Sequence, residues 1–490
     1  MFQLAFFFTF FFYSAAMAVP EAGATSSTFG LDKIQMAQTQ ILQAKQWAES
    51  SILGSGLNGE VLEFHGLNDC VKLYRESENR LSQMVAGGEK YSQDDARTWL
   101  SGVLANHRSC LDGLSEKGFV DQNHTIFSSN FTFLISEALD FYGQQSPYFT
   151  KENIPAQNQT AGGILTSWNP GSSRANFIVA KDGSGTHRTI NEAVSAVERS
   201  RNRRANRVII YVKAGIYNEK IEIPQHIKNL MLVGDGIDRT IITGNRNVPD
   251  GATTLSSATF GVSGDGFWAR DITFENTAGP NKHQAVALRV SSDLSVFYRC
   301  SFKGYQDTLY VHSLRQFYRD CQIYGTIDFI FGDAPVVFQN CDIFVRRPMS
   351  SQANFITAQG RDDPRENTGI SIHRSRVRPL PELLAARGEI RTFLGRPWRK
   401  YSRTVFMETE LDGFIHPSGW GAWHGDYALS TLFYGEYRNT GDGASTSRRV
   451  NWRGFHVLNS PQEVAPFTVG RFIQGENWIP ASGVPFSLGT

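Results

Sequence analysis

Three near-copies of one short segment follow each other at an almost fixed spacing, and this repeat constrains the fold more than any other feature. They read Phe297-Tyr-Arg-Cys300-Ser-Phe, Phe317-Tyr-Arg-Asp-Cys321-Gln-Ile and Val337-Phe-Gln-Asn-Cys341-Asp-Ile. Cys300 and Cys321 are 21 residues apart, and so are Asp307 and Asp328, each seven residues beyond its cysteine. Short β-rich repeats at such a period imply a solenoid whose coils stack by parallel strand pairing. Equivalent side chains on neighbouring coils then stand about 5 Å apart, the strand spacing. Two carboxylates at that distance cannot both ionise cheaply, so one is expected to keep a proton near neutral pH. An acid beside an anion is equipment for cleaving a bond.

The 490-residue chain is long enough for two domains, and its 41% hydrophobic content is enough for a large core. Its charge of +1 hides an asymmetry: residues 1–173 carry 10 Lys+Arg against 17 Asp+Glu, whereas 174–490 carry 38 against 30. An acidic segment before a basic domain fits intramolecular pairing, and the basic part suits a polyanionic substrate. The opening residues read as a secretory signal over 1–18: an apolar run from Leu4 to Tyr13 precedes Ala16-Met17-Ala18, although a basic start is missing. That run is too short to span a bilayer, and no membrane partner is expected. Sequons at Asn123, Asn130 and Asn158 mark candidate glycosylation sites on a secreted product.

Residues 31–144 show helical spacing. Ile34, Ile41 and Leu42 lie in a first segment; Cys70, Leu73, Leu81 and Met84 in a second. Ser92-Gln-Asp-Asp95 has the form of a helix start, and Phe127, Phe131, Leu134, Ile135 and Ala138 stripe a last helix. A small antiparallel bundle stapled by Cys70–Cys110 follows. Residues 145–175 form a linker, rich in Asn, Gln, Gly, Ser and Pro from Asn153 to Ser173. Over 176–490, runs such as Val208–Val212, Leu230–Val233, Thr240–Ile242 and Val336–Phe338 are short strands without interleaved helices. The expected fold is therefore an all-β parallel β-helix preceded by a small α-helical bundle. Asn191–Glu198 is expected as a helix capping the open end. Cys321 and Cys341, on adjacent coils, are expected to be bridged because the coil spacing suits a disulfide. Cys300 stays unpaired. The cysteine spacings are too wide for a zinc site, and no metal or cofactor is expected. The basic cluster Arg201, Arg203, Arg204 and Arg207 lacks interleaved aromatics, so nucleic acid is not an expected partner.

Around the aspartates, Gln306 precedes Asp307, and Gln284 falls one coil earlier. Carboxamides beside a carboxylate pair can stabilise an oxyanion without titrating. Arg396 and Trp398, in Leu394-Gly-Arg-Pro-Trp398, offer a cation to hold one aspartate ionised and a flat face for a sugar ring. His283 and His312 are read as structural, and Asp333, Asp342 and Asp320 as turn residues. Carboxylates about 5 Å apart also suit a retaining glycosidase, so spacing alone leaves that alternative open.

These motifs closely resemble the plant pectin methylesterases that carry an inhibitor-like pro-region. The resemblance rests on Gly304-Tyr-Gln-Asp-Thr-Leu-Tyr310, Gly325-Thr-Ile-Asp-Phe-Ile-Phe-Gly332, Leu394-Gly-Arg-Pro-Trp398, His283-Gln-Ala-Val-Ala-Leu-Arg289 and Val179-Ala-Lys-Asp-Gly-Ser-Gly185. It implies a right-handed parallel β-helix that hydrolyses methyl esters at C6 of galacturonate in pectin. Asp328 would be the nucleophile and Asp307 the acid that becomes a base, with Gln284 and Gln306 on the oxyanion. Arg396 would keep Asp328 charged, while Thr254 and Trp398 would contact the sugar chain. It further implies a secreted cell-wall monomer, with methyl-esterified pectin as substrate and a proteinaceous pectinesterase inhibitor as a possible partner. Residues 31–144 are similar to the family's four-helix pro-region, Cys70 and Cys110 matching one of its two bridges. The other bridge is missing, and the linker lacks the basic processing motif common in the family.

Overall fold

The computed structural model describes residues 26–490 except 55–60, 88–89, 120–121, 145–157, 160–161, 201–206 and 387. The expected signal over 1–18 lies outside the described residues. Four helices form an antiparallel bundle: α1 (Ser26–Gly54), α2 (Val61–Gly87), α3 (Gln93–Glu116) and α4 (Gln122–Gln144). Their apolar stripes meet in a core that includes Ile34, Ile41, Leu73, Leu81, Leu100, Leu104, Phe131 and Ile135. Ser92 starts α3 as expected: its hydroxyl accepts from the Asp95 N–H at 3.0 Å, and the Asp95 carboxylate accepts from the Ser92 N–H at 3.0 Å. The exchange satisfies two donors that a helix start leaves open, and such a cap stabilises by ~1 kcal/mol. Cys70 of α2 and Cys110 of α3 are bridged, with Cα atoms 4.6 Å apart.

Beyond the bundle, the described strands form three long parallel sheets of eight, seven and eleven strands. Each strand pairs with its equivalents on the coils before and after it, which makes a parallel β-helix. One sheet carries in succession β1 (Leu288–Val290), β2 (Leu309–Val311), β3 (Ile330–Gly332), β4 (Asn354–Gln359) and β5 (Thr392–Gly395). Register follows the repeat: Phe297 pairs with Tyr318, and Tyr318 with Phe338. Their rings stack through the interior with centroids 4.8 and 4.5 Å apart. The end helix α5 (Ile190–Arg199) extends the expected span by one residue at each side and buries Ile190, Ala193, Val194 and Val197 against the first coils.

One expectation needs correction, and two gain structural detail. Cys321 and Cys341 are not bridged; with Cys300 they are free and buried in the core. In-register parallel strands hold neighbouring Cβ atoms about 4.8 Å apart on parallel bonds, whereas a disulfide needs about 3.8 Å on converging ones. The Cα spacing was suitable and the side-chain direction was not. The linker is also not wholly free. Ile164–Ser167 forms one helical turn, Leu165 and Trp168 are buried, and Arg270 donates to the carbonyls of Thr166 (3.1 Å) and Trp168 (3.0 Å). Of the three sequons, Asn123 and Asn130 lie within α4, with the Asn130 side chain exposed, and Asn158 lies in a two-residue strand pairing with Ser487.

The bundle lies against the β-helix with α3 facing it. Arg108 donates to Glu366 (2.7 Å) and Asp333 (3.2 Å). Arg80 makes a two-pronged pair with Asp265 (2.8 and 3.1 Å), and Arg315 joins Asp95 (2.6 Å) to Asp293 (2.7 Å). The pairing foreseen from the charge asymmetry exists, but cations and carboxylates come from both domains. Asp333 sits at a bend, as expected, and its buried carboxylate also joins this cluster.

Titration of the denatured, unreduced protein should reveal three thiols per chain. A single thiol would mean that Cys321 and Cys341 are joined after all.

Candidate active site

Asp307 and Asp328 each stand two residues before an in-register pair, Leu309 of β2 and Ile330 of β3. The repeat therefore stacks them on consecutive coils, tied locally by the Asp307 N–H to the Ile327 carbonyl at 3.0 Å. Thr308 fixes the first turn by donating to the carbonyls of Tyr305 (3.2 Å) and Tyr324 (2.9 Å). Both aspartates have left-handed backbones, with φ of 62° and 51°. Asp tolerates this region better than most residues, and such conformations gather at functional sites.

Arg396, just past β5, grips Asp328 with two parallel hydrogen bonds, Nε to Oδ1 at 2.8 Å and Nη2 to Oδ2 at 2.6 Å. Its guanidinium lies 4.4 Å from the ring centroid of Phe355 and 4.3 Å from that of Trp423. Burial pushes both carboxyls above the usual range. Asp307 is pushed furthest, by burial first, then by the negative charges of Asp328 and Glu116. For Asp328 burial is opposed by Arg396, whose charge and hydrogen bonds favour the anion. The asymmetry favours the proton on Asp307 and the charge on Asp328.

Gln284 and Gln306 line the same cavity, half-buried, on adjacent coils joined by the Ala285 N–H to the Gln306 carbonyl at 3.3 Å. Neither carboxamide has a side-chain hydrogen-bond partner in the protein among the described residues, so their N–H groups are free to meet an oxyanion. One wall is aromatic: Tyr310 and Phe331 stack at 4.2 Å, and Trp398 meets Phe331 edge-on at 5.9 Å. The cavity, about 210 Å³, is thus lined by every candidate catalytic and sugar-contacting residue of the sequence analysis: Asp307, Asp328, Gln284, Gln306, Arg396, Trp398 and Thr254.

Sequence reasoning missed the lid. Ser109, Asp112, Gly113 and Glu116 of α3 complete the cavity wall. The Glu116 carboxylate accepts from the Thr254 N–H (2.8 Å) and hydroxyl (2.7 Å), Asp112 pairs with Arg399, and Ser109 contacts Tyr310 (3.0 Å) and His312 (2.9 Å). His312 is buried, and its desolvation lowers its pKa well below the usual value, which fits the structural role expected of it. The aromatic pair was legible: Tyr310 and Phe331 each fall three residues after an aspartate, at the same 21-residue spacing. Nothing in the sequence pointed to Trp423 or Phe355.

Comparison with known proteins agrees with this geometry. A family model described as "Pectinesterase" matches residues 176–476. The chain belongs to the pectinesterase family. A second model, "Plant invertase/pectin methylesterase inhibitor", matches residues 16–140. The chain is 58% identical to a probable pectinesterase/pectinesterase inhibitor of Arabidopsis thaliana, covering 98% of each, and 52% identical to a pectinesterase of Citrus sinensis, covering 86% of this chain and 81% of that one. Among solved structures, carrot pectin methylesterase superposes with a TM-score of 0.64 at 54% identity. That match takes in 65% of this pectinesterase and 99% of the carrot chain.

Arg396→Gln should raise the Asp328 pKa, because the guanidinium now lowers it. If Asp328 must be ionised to act, the acid limb of kcat/KM on esterified pectin moves to higher pH. A limb left in place would mean that Arg396 does not tune this carboxylate.

Proposed function

We propose that this chain hydrolyses the C6 methyl esters of homogalacturonan to pectate and methanol, with Asp328 as nucleophile and Asp307 as acid and base. The stacked pair with Arg396 on only one member carries the reading. It supplies, within reach of one carbonyl, an anion to attack and a proton to give. An Asp328 oxygen attacks the ester carbonyl, whose electrons move onto oxygen and are met by the Gln284 and Gln306 carboxamides. Collapse breaks the bond to the methoxy oxygen, which takes the Asp307 proton and departs as methanol. Asp307, now a carboxylate, draws a proton from water as the water oxygen attacks the acyl-enzyme at the former ester carbonyl. The second collapse frees Asp328 and the galacturonic acid, and Asp307 is protonated again.

Thr254 and Trp398 would hold the sugar chain along the cleft. The proposed setting is the plant cell wall, reached through the secretory signal, with the enzyme a monomer open to a proteinaceous inhibitor. The domain division is 1–18 signal, 31–144 inhibitor-like pro-region, 145–175 linker and 176–490 catalytic domain. With α3 over the pair, the 210 Å³ cavity is below the ~300–1,000 Å³ that a drug-sized ligand occupies. α3 thus narrows the cleft over the aspartate pair.

A glycoside hydrolase would use similar carboxylates, but it has no need of two free carboxamides beside them. Methanol release and new reducing ends, measured together on methylated pectin, separate the two. The ester reading predicts methanol without reducing ends, and loss on the order of 10⁴-fold in Asp328→Asn with the fold unchanged. Reducing ends without methanol would overturn it.

A further inference from the structure

Arg396 stands beside two aspartates and grips one. Asp307 and Asp328 occupy consecutive coils, about 5 Å apart at the strand spacing, and the charge of Arg396 bears on both carboxyls. Its two hydrogen bonds nevertheless go to Asp328 alone. A guanidinium fork on a long stem is equally able to bridge two stacked carboxylates, so something must hold it to one. Two rings stand at the fork: the Phe355 centroid is 4.4 Å from its central carbon and the Trp423 centroid 4.3 Å. Rings this close to one planar group limit its tilt, and each adds a cation–π attraction. Trp423 lines the cavity, whereas Phe355 is not part of the lining. Phe355 is itself fixed. It lies in β4, pairs in register with Phe393 of β5, and the two rings stack at 5.2 Å with their planes 14° apart. Its N–H donates to the Thr326 carbonyl at 3.1 Å. Gly421 leaves the ring its room, since a Cβ there would stand 2.5 Å from Phe355 Cε1.

We propose that Phe355 is a positioning residue: with Trp423 it confines the Arg396 fork to Asp328 and keeps it from swinging to Asp307. The ring has no polar atom to offer an ester and acts through Arg396. It thereby selects which of two like carboxyls becomes the anion. Facing Asp328 are Arg396, Asp307 and the Tyr434 phenol, which burial keeps neutral; Glu116 of α3 also bears on Asp307. None of these groups changes when Phe355 is replaced by another apolar side chain. A shift in the titration of the pair then reports where the guanidinium sits. A fork free to tilt stabilises the Asp328 anion less and the Asp307 anion more. The Asp328 pKa rises and the Asp307 pKa falls, so the pH range with one charged and the other protonated narrows from both ends. Loss of packing alone would lower the rate without drawing the limbs together.

The test is the pH profile of kcat/KM for methanol release from esterified pectin by the full-length chain. It rests on the esterase reading, in which the acid limb follows Asp328 and the basic limb Asp307. Phe355→Leu and Phe355→Met fill the place without an aromatic face, and one folded variant of the two suffices. Either should move the acid limb up by about half a pH unit and the basic limb down by a similar amount, the worth of one cation–π contact. Phe355→Tyr keeps the ring and should keep both limbs where wild type has them. In an Arg396→Gln background, Phe355→Leu should move neither limb further. Limbs unmoved in the Leu and Met variants, or moved as far when Arg396 is absent, overturn the proposal. Carbon-13 titration of the two aspartate carboxyls decides the same point without turnover. In Phe355→Leu the Asp328 midpoint should rise and the Asp307 midpoint fall, and unchanged midpoints overturn the proposal. Absence of methanol from wild type would instead strike at the esterase reading and leave the carboxyl titration to judge the ring.

Discussion

Hydrogen bonding between successive coils, in register, is the constraint on which the rest of the molecule depends. It makes the structural neighbour of a residue its counterpart one repeat away, at the strand spacing. Columns of like residues follow, such as the ring stack of Phe297, Tyr318 and Phe338 inside the coils and that of Tyr310 and Phe331 on their outer face, buried beneath the bundle. Most such columns are comfortable because apolar groups stack well. A column of two carboxylates is not, and the coil-to-coil bonding holds it together despite the repulsion. The fold supplies the rigidity and the aspartates store the electrostatic conflict.

What turns that conflict into chemistry is asymmetry. Arg396 touches Asp328 alone, and its guanidinium lies close to two aromatic rings that fix its plane. Without it only the charge of Glu116 beside Asp307 would favour one carboxyl over the other for the shared proton. With it Asp328 is favoured as the anion and Asp307 as the acid, the division on which the proposed mechanism rests. The helical domain works on the same site from outside. Its α3 lines the cavity and adds the charge of Glu116 near Asp307, and the bundle is anchored by ion pairs of Arg80 on α2, Arg108 on α3, and Arg315 with Asp95 of α3.

The sequence revealed most about whatever the repeat controls. Asp307 and Asp328 could be paired from spacing because, in a solenoid, spacing is register. The four helices and the cap at Ser92 were legible from local periodicity and capping chemistry. Spacing misled at Cys321 and Cys341, since it fixes Cα separation and says nothing of where the sulfurs point. It was silent on Asp112 and Glu116, an ordinary pair on a helix, because neither helical periodicity nor the 21-residue repeat encodes how one domain docks on another. Trp423 and Phe355 lie outside the repeat and reach Arg396 only through the fold.

The central claim is that one of two stacked aspartates is protonated while the other is charged. Carbon-13 NMR of carboxyl-labelled aspartate in the full-length chain tests it directly, with Asp307→Asn and Asp328→Asn assigning the signals. At neutral pH the Asp307 carboxyl should resonate as the acid and the Asp328 carboxyl as the anion. Two ionised carboxylates at that pH, or the proton on Asp328, would contradict it.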